Sequence, residues 1–167
     1  MRDKGKQRNS TEPKGELASR TLAMPADSNP KGDIFGGWIM CLMDSAGKMS
    51  ATPHAGGRVV TVAVSNITFL QPVHVGDTVC CYTDVKRLGR TSITLDVEVW
   101  VLRQGQGARI KVTDAEFTFV AVHEDGSPRE LTSPGPEPQP RAVRERRHPS
   151  RQPKGTISMV PAGRTVP

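Results

Sequence analysis

A single stretch of helical period sits in a chain otherwise dominated by stretches of period two. From Gly36 to Ser50, the residues Trp38, Ile39, Leu42, Met43, Ala46 and Met49 recur three and four apart, a broad apolar stripe. Pro53 and the "AGG" after it are expected to end the helix. Then the period changes. "RVVTVAV" (58–64) and "NITFLQ" (66–71) read as strands, "PVHVGD" as a turn, and "DTVCCYTDVKRL" (77–88) as the next strand. "SITLDVEVWV" (92–101) alternates cleanly, with Ile93, Leu95, Val97, Val99 and Val101 on one face and Thr94, Asp96, Glu98 and Trp100 on the other. "RIKVTDAEFTFVAV" (109–122) reads as the last strand, and "ELASRTLAM" (16–24) as a short first one. An apolar helix alone among strands has to be covered, and a strongly curved antiparallel sheet can wrap it. The predicted class is α+β, one long helix against five to six strands. Such a sheet keeps a long free edge, for which dimerisation by edge pairing is a common remedy.

Charge separates the middle of the chain from its ends. The formal charge is +6 over 167 residues, but 1–15 carry +3 and 132–167 carry +5, leaving −2 for 16–131. The folded part is therefore not a basic nucleic-acid-binding domain, and nucleic acid is not an expected partner. Eight of the fourteen prolines fall in 132–167, which shows neither helical nor strand period. The expected organisation is a disordered basic start (1–15), one domain (16–131) and a disordered Pro-rich basic tail (132–167). The cluster "RAVRERRHPSR" in that tail suits a solvated segment, or contact with RNA, membrane or an acidic protein.

The first residues lack the apolar core of a signal peptide, and no run approaches a membrane span. Cys41, Cys80 and Cys81 are odd in number and lack metal spacing; the adjacent pair would point to opposite faces of a strand, which fits a reducing cytoplasm. His54, His74, His123 and His148 are scattered, so no metal site is expected.

Within "NPKGDIFGGWIMCLMD" two choices are unfavourable. Asp44 lies inside a helix, where its short side chain competes for backbone hydrogen bonds. Gly36 and Gly37 cost backbone entropy wherever they are ordered. Together they suggest a site. Asp44 alone could equally be a buried, hydrogen-bonded structural carboxylate. Asn29, before Pro30, is a natural turn residue. Asp33 is expected to cap the helix, and Trp38 to join the core.

"RTLAMPADSNPKGDIFGGWIMCLMDSAG", "GRVVTVAVSNITFLQPVHVGDTVCCY", "GRTSITLDVEVWV" and "VTDAEFTFVAV" together resemble the YciA-like acyl-CoA thioesterases of the hotdog superfamily, over about residues 16–131. The resemblance implies a hotdog fold and hydrolysis of acyl-CoA to free acid and CoA, with no cofactor beyond the CoA of the substrate. That reaction needs an activated water or an attacking carboxylate, and a place for the oxyanion. Asp44 would be general base or nucleophile. Gly36 and Gly37 would form the oxyanion site, because the first N–H groups of a helix are unpaired and the macrodipole is positive there. Asn29 would help hold the substrate carbonyl or water.

Asp44 lies eight residues past Gly36, about 12 Å along a straight helix axis at 1.5 Å per residue. One helix thus holds donor and carboxylate too far apart to share a carbonyl. A homodimer with antiparallel helices solves this, and assembly to a hexamer, a trimer of dimers, is expected.

Ser65 and Thr61 could hold the attacking water or simply cover the sheet surface; some relatives carry an acidic residue in place of Ser65. Coenzyme A phosphates need cations. "KRLGRTS" presents Lys86, Arg87 and Arg90 with Thr91 and Ser92 around a turn, and Arg58 is a further candidate. Competing readings are a hydroxyacyl-thioester dehydratase, which needs a His paired with an acid, a non-catalytic acyl-CoA-binding regulator, and an adaptor acting through its basic tail. His54 and His74 are expected in loops, which counts against the dehydratase.

Overall fold

The computed structural model describes residues 12–105 and 107–131. They belong to a compact unit, Met1–Glu137; a second unit, Pro138–Pro167, lies outside the described residues, as do residues 1–11 and 132–137. The two segments read as disordered from sequence therefore fall almost wholly outside the description. Residues 12–15 lead onto the sheet, and the Lys14 N–H donates to Glu98.

Five strands and one long helix follow in the order β1 (Glu16–Leu22), α1 (Gly36–Ala55), β2 (Val59–Phe69), β3 (Thr78–Leu88), β4 (Ser92–Leu102) and β5 (Arg109–Ala121), with a 3-10 turn at Pro25–Asp27. The sheet order is β1-β3-β4-β5-β2, antiparallel throughout, and α1 packs against all five strands. The two strand-like runs after the helix are one strand. Its register against β5 shifts between Thr61 and Ala63 and again between Ser65 and Thr68, where Asn66 has φ 60°. These irregularities bend β2 without breaking it.

The helix runs two residues past Pro53 and ends within the expected "AGG" stop. Proline inside a helix removes one N–H and crowds the preceding turn. Here it falls in the last turn, between Ala51 and Ala55, both fully buried, so packing carries the helix past it. Gly56 makes the actual stop, with φ 61° and its N–H bonded to the Pro53 carbonyl.

The buried helix face is Ile39, Met43, Ala46, Gly47, Ala51 and Ala55. Trp38 and Leu42 are half-buried against the core, while Met49, expected in the stripe, is exposed. At Gly47 the helix lies so close to β5 that an added Cβ would come within 2.8 Å of the Phe119 ring.

β4 carries the expected inner face, with Ile93, Leu95, Val97, Val99 and Val101 all fully buried. Its other face is covered too, because Trp100 packs with Cys80 and Tyr82 in a second cluster. Cys81 joins the main core and Cys80 the outer cluster, the opposite-face arrangement expected of neighbours on a strand. β2 forms one edge of the sheet and leaves Val62 55% and Val64 40% exposed.

Candidate active site

Asp44 projects, half-buried, from the middle of α1 toward β2, and its Oδ1 accepts a hydrogen bond from Thr61 Oγ1. Ser65, four residues further along the same strand, is exposed opposite Glu116 and has no side-chain hydrogen bond among the described residues. The geometry thus separates two hydroxyls that pattern alone treats alike. Thr61 pairs with Phe119, whose ring lies against the helix, whereas the register shift after Thr61 sets Ser65 opposite Glu116 on the other face.

The helix begins at Gly36 with Phe35 as N-cap and no side-chain cap. The N–H groups of Gly36 and Gly37 find no partner among the described residues. A Cβ at Gly37 would meet nothing within 4 Å, whereas one at Gly36 would sit 3.4 Å from Phe69 Cζ. Gly37 therefore faces open space and Gly36 the Phe69 ring, a neighbour that sequence reasoning missed. Beside Gly36 opens an apolar cleft of about 300 Å³, lined by Ile34, Ile39, Phe69, Leu70, Val73 and Val112 among others.

Asp33 does not cap the helix. It is too far ahead of the first turn and instead faces His74, with Nδ1 3.3 Å from Oδ1. Nor does His54 lie in a loop: it occupies the last turn of α1, at the opposite end of the helix from Gly36.

Asn29 closes the loop before the helix. Its Oδ1 accepts from the N–H groups of Lys31 (2.9 Å) and Asp33 (3.1 Å), and its own N–H donates to the Asp33 carbonyl. This is the turn geometry expected of Asn before Pro. It leaves Nδ2 as the side chain's remaining donor, without a partner among the described residues.

The β3–β4 hairpin and the start of β2 meet at the C-terminal end of β5. The Thr91 carbonyl accepts from Ala121 N–H and the Arg58 carbonyl from Val122 N–H. The cations here are not equivalent. Lys86 is committed to carboxylates, 2.8 Å from Glu116 and 3.1 Å from Asp96, which hold its ammonium pKa above the usual range. Arg87 is exposed and has no ion pair among the described residues. Arg90 is 83% exposed and only 3.8 Å from Glu130, a contact worth little in water. Arg58 donates to the Glu124 carbonyl. Ser92 opens β4, its carbonyl accepting from Gly89 N–H.

A second polar cluster escaped the sequence reading. Asp77, 2% exposed, accepts two bonds from Arg103 Nε (3.0 and 3.3 Å), one from Nη2 (2.8 Å) and one from His74 N–H (3.0 Å). Burial alone would raise its carboxyl pKa, but the Arg103 fork and the backbone donor hold it below the usual value. Its only trace in sequence is a Gly-Asp pair in a turn.

A helix wrapped by an antiparallel sheet, with a glycine start and a half-buried carboxylate, defines a hotdog-fold thioesterase class. Consistent with it, residues 31–108 match the family model described as "Thioesterase superfamily". The acyl-CoA thioester hydrolase YciA of Salmonella typhimurium is 54% identical over 126 residues, spanning 74% of this chain and 95% of that protein. The chain belongs to this YciA family of acyl-CoA thioester hydrolases. Among solved structures, the hexameric thioesterase y2039 from Yersinia pestis is 55% identical, with TM-score 0.69 over 73% of this chain and 99% of that one. HI0827, described as a hexameric broad-specificity acyl-coenzyme A thioesterase, is 52% identical in a structure of its aspartate-to-alanine mutant, with TM-score 0.69 over 71% of this chain and 88% of that one. Among the described residues no helix is long and apolar enough to cross a membrane.

Proposed function

We propose that this chain hydrolyses acyl-CoA thioesters to free acid and CoA in the cytoplasm, with Asp44 as the catalytic carboxylate. The observation that carries the assignment is the Thr61–Asp44 hydrogen bond beside an otherwise uncommitted carboxylate. The Thr61 hydroxyl occupies Oδ1 and orients the group, leaving Oδ2 for the attacking water. As general base, Asp44 takes a proton from that water while oxygen bonds to the acyl carbon. It then returns the proton to the departing CoA sulfur as the C–S bond breaks. As nucleophile it would instead attack the carbonyl itself, and water would hydrolyse the resulting anhydride.

The oxyanion falls to the unpaired N–H groups of Gly36 and Gly37 at the positive end of the α1 dipole. Asn29 Nδ2 is the further donor to the carbonyl or the water. Helical spacing keeps Asp44 and Gly36 of one chain from serving the same carbonyl, so the working site pairs Asp44 of one subunit with the glycine turn of a second. The exposed apolar residues of edge strand β2 support a homodimer, and the hexameric relatives support a trimer of dimers. The apolar cleft beside Gly36 suits an acyl chain. Arg87, Arg90 and Arg58, with Thr91, Ser92 and Ser65, form the substrate and CoA-binding set. The reaction needs no cofactor.

The test follows CoA thiol release with a thiol reagent, using purified protein and acyl-CoAs of two to twelve carbons. Turnover well above the spontaneous rate is expected. Stoichiometric CoA binding without turnover would instead assign a non-catalytic acyl-CoA-binding protein.

A further inference from the structure

We propose that the pair of buried Asp77 and half-buried Arg103 is a positioning device for the active-site loop, acting through the turn Pro72–Asp77. The proposal rests on the thioesterase reading with Asn29 as a substrate contact. Arg103, just past the end of β4, reaches that turn from both sides. Its Nε and Nη2 hold the Asp77 carboxylate, and Nη2 also donates to the Pro72 carbonyl at 3.0 Å. Asp77 Oδ2 in turn accepts the His74 N–H. One guanidinium and one carboxylate thus fix the beginning, middle and end of a six-residue turn.

That turn grips the Asn29 loop at both ends. On the upstream side, Ala23 N–H donates to the Asp77 carbonyl and Gly76 N–H to the Ala23 carbonyl, both at 2.9 Å. On the downstream side, Ile34 N–H donates to the Val73 carbonyl at 2.9 Å, and Asp33 lies against His74. Between these two anchors Asn29 is held by its bonds to Lys31 and Asp33, and Gly36 follows directly. The Asn29 amide and the first N–H groups of α1 are therefore referenced to the sheet through this turn.

A planar five-donor fork suits the task, since a lysine could not bond the carboxylate and a carbonyl together with fixed geometry. Removing Arg103 leaves the buried Asp77 carboxylate without its compensating charge. The expected result is a displaced loop rather than a lost fold, because β4 and the helix core do not depend on Arg103 for their packing. Small displacements of a positioning group lower turnover steeply, by up to about a hundredfold for 1 Å.

The experiment compares wild type, Arg103→Met and Arg103→Lys by acyl-CoA kinetics and by amide hydrogen exchange. For Arg103→Met, kcat should fall about ten- to hundredfold with KM within about threefold, since orientation is lost and the nucleotide contacts are not. The amides of Asp33 and Ile34 should exchange about tenfold faster or more, while those of Val97 and Val99 in β4 stay protected. Arg103→Lys should lie between wild type and Arg103→Met in both readouts, and it carries the same test should Arg103→Met fail to fold. Unchanged exchange at Asp33 and Ile34 would overturn the proposal. So would equal acceleration at Val97 and Val99, which marks a general stabilising role. Exchange is read without substrate, so a wild type lacking thioesterase activity would refute the functional reading and leave the positioning result separate.

Discussion

Thr61, on the edge strand, donates its hydroxyl hydrogen to the carboxylate of Asp44, seventeen residues earlier on the helix. This single bond joins the two elements that meet at the candidate catalytic group, and it predicts a graded series. Asp44→Ala should lower kcat by about 10²–10⁴, the range for losing a positioned base. It should fold at least as well as the parent, since alanine is the better helix former. Thr61→Val should cost about tenfold or more, the scale of one hydrogen bond to a charged group, and Thr61→Ser should restore most of it. Kinetics alongside melting curves decide the matter: near-normal turnover with a lowered Tm for Asp44→Ala would make the carboxylate structural.

Asn29 performs two separable tasks, closing a turn through Oδ1 and offering Nδ2. Asn29→Asp keeps the acceptor for Lys31 and Asp33 N–H but has no amide donor, whereas Asn29→Ala loses both. Both variants should lower kcat by about ten- to hundredfold, less than Asp44→Ala. Only Asn29→Ala should also lower Tm. If Asn29→Asp turned over normally, the residue would be a turn former alone.

Two glycines of α1 should respond oppositely to a methyl group. Gly37→Ala meets nothing within 4 Å and should raise stability by about 0.4–1 kcal/mol, yet lower turnover by crowding the carbonyl's approach. Gly47→Ala drives its Cβ to 2.8 Å from a fully buried Phe119 ring, which should cost about 1–3 kcal/mol despite the better helix propensity. Thermal melts of the two variants test the contrast.

Asp77 makes stability depend on acid. Burial works to raise its carboxyl pKa, but Arg103 and the His74 N–H outweigh it, so the folded value lies below the unfolded one. The folded state then binds fewer protons between the two values. The resulting stability is fully present above the unfolded pKa of about 3.9 and is lost as pH falls through the folded value. Urea unfolding from pH 7 to pH 3 should show a decline below about pH 4 that is reduced in Asp77→Asn. An identical pH profile for the variant would contradict the shift.

For the CoA phosphates, Arg87→Ala and Arg90→Ala should mainly raise KM, by tenfold or more each, since a charge-assisted bond contributes about 1.5–3 kcal/mol. Arg58→Ala should do less, because Arg58 already donates to the Glu124 carbonyl. Unchanged KM in all three would remove this end of the sheet from the binding site.

Period and punctuation were enough to read most of this fold. The alternation from Ile93 to Val101 puts five aliphatic side chains on one face of the strand, so that face of the main core was legible residue by residue. The helix start at Gly36 was legible as well, and the motif around it placed the chain in its family. The end of the helix was legible in part, since Gly56 of the "AGG" makes the stop. Pro53 is a stop signal by local rules, and only the burial of Ala51 and Ala55 against the sheet overrides it. Likewise Thr61 and Ser65 are equivalent hydroxyls on one strand until a register shift between them turns Ser65 to the other face and leaves Thr61 facing Asp44. Asp33 reads as a cap until His74, forty-one positions later, takes it as a partner. Asp77 and Arg103 are separated by 26 positions and share no motif. Local periodicity records which face of an element is buried. Which polar groups meet across the core is set by how the elements pack, and that was decided only in the tertiary structure.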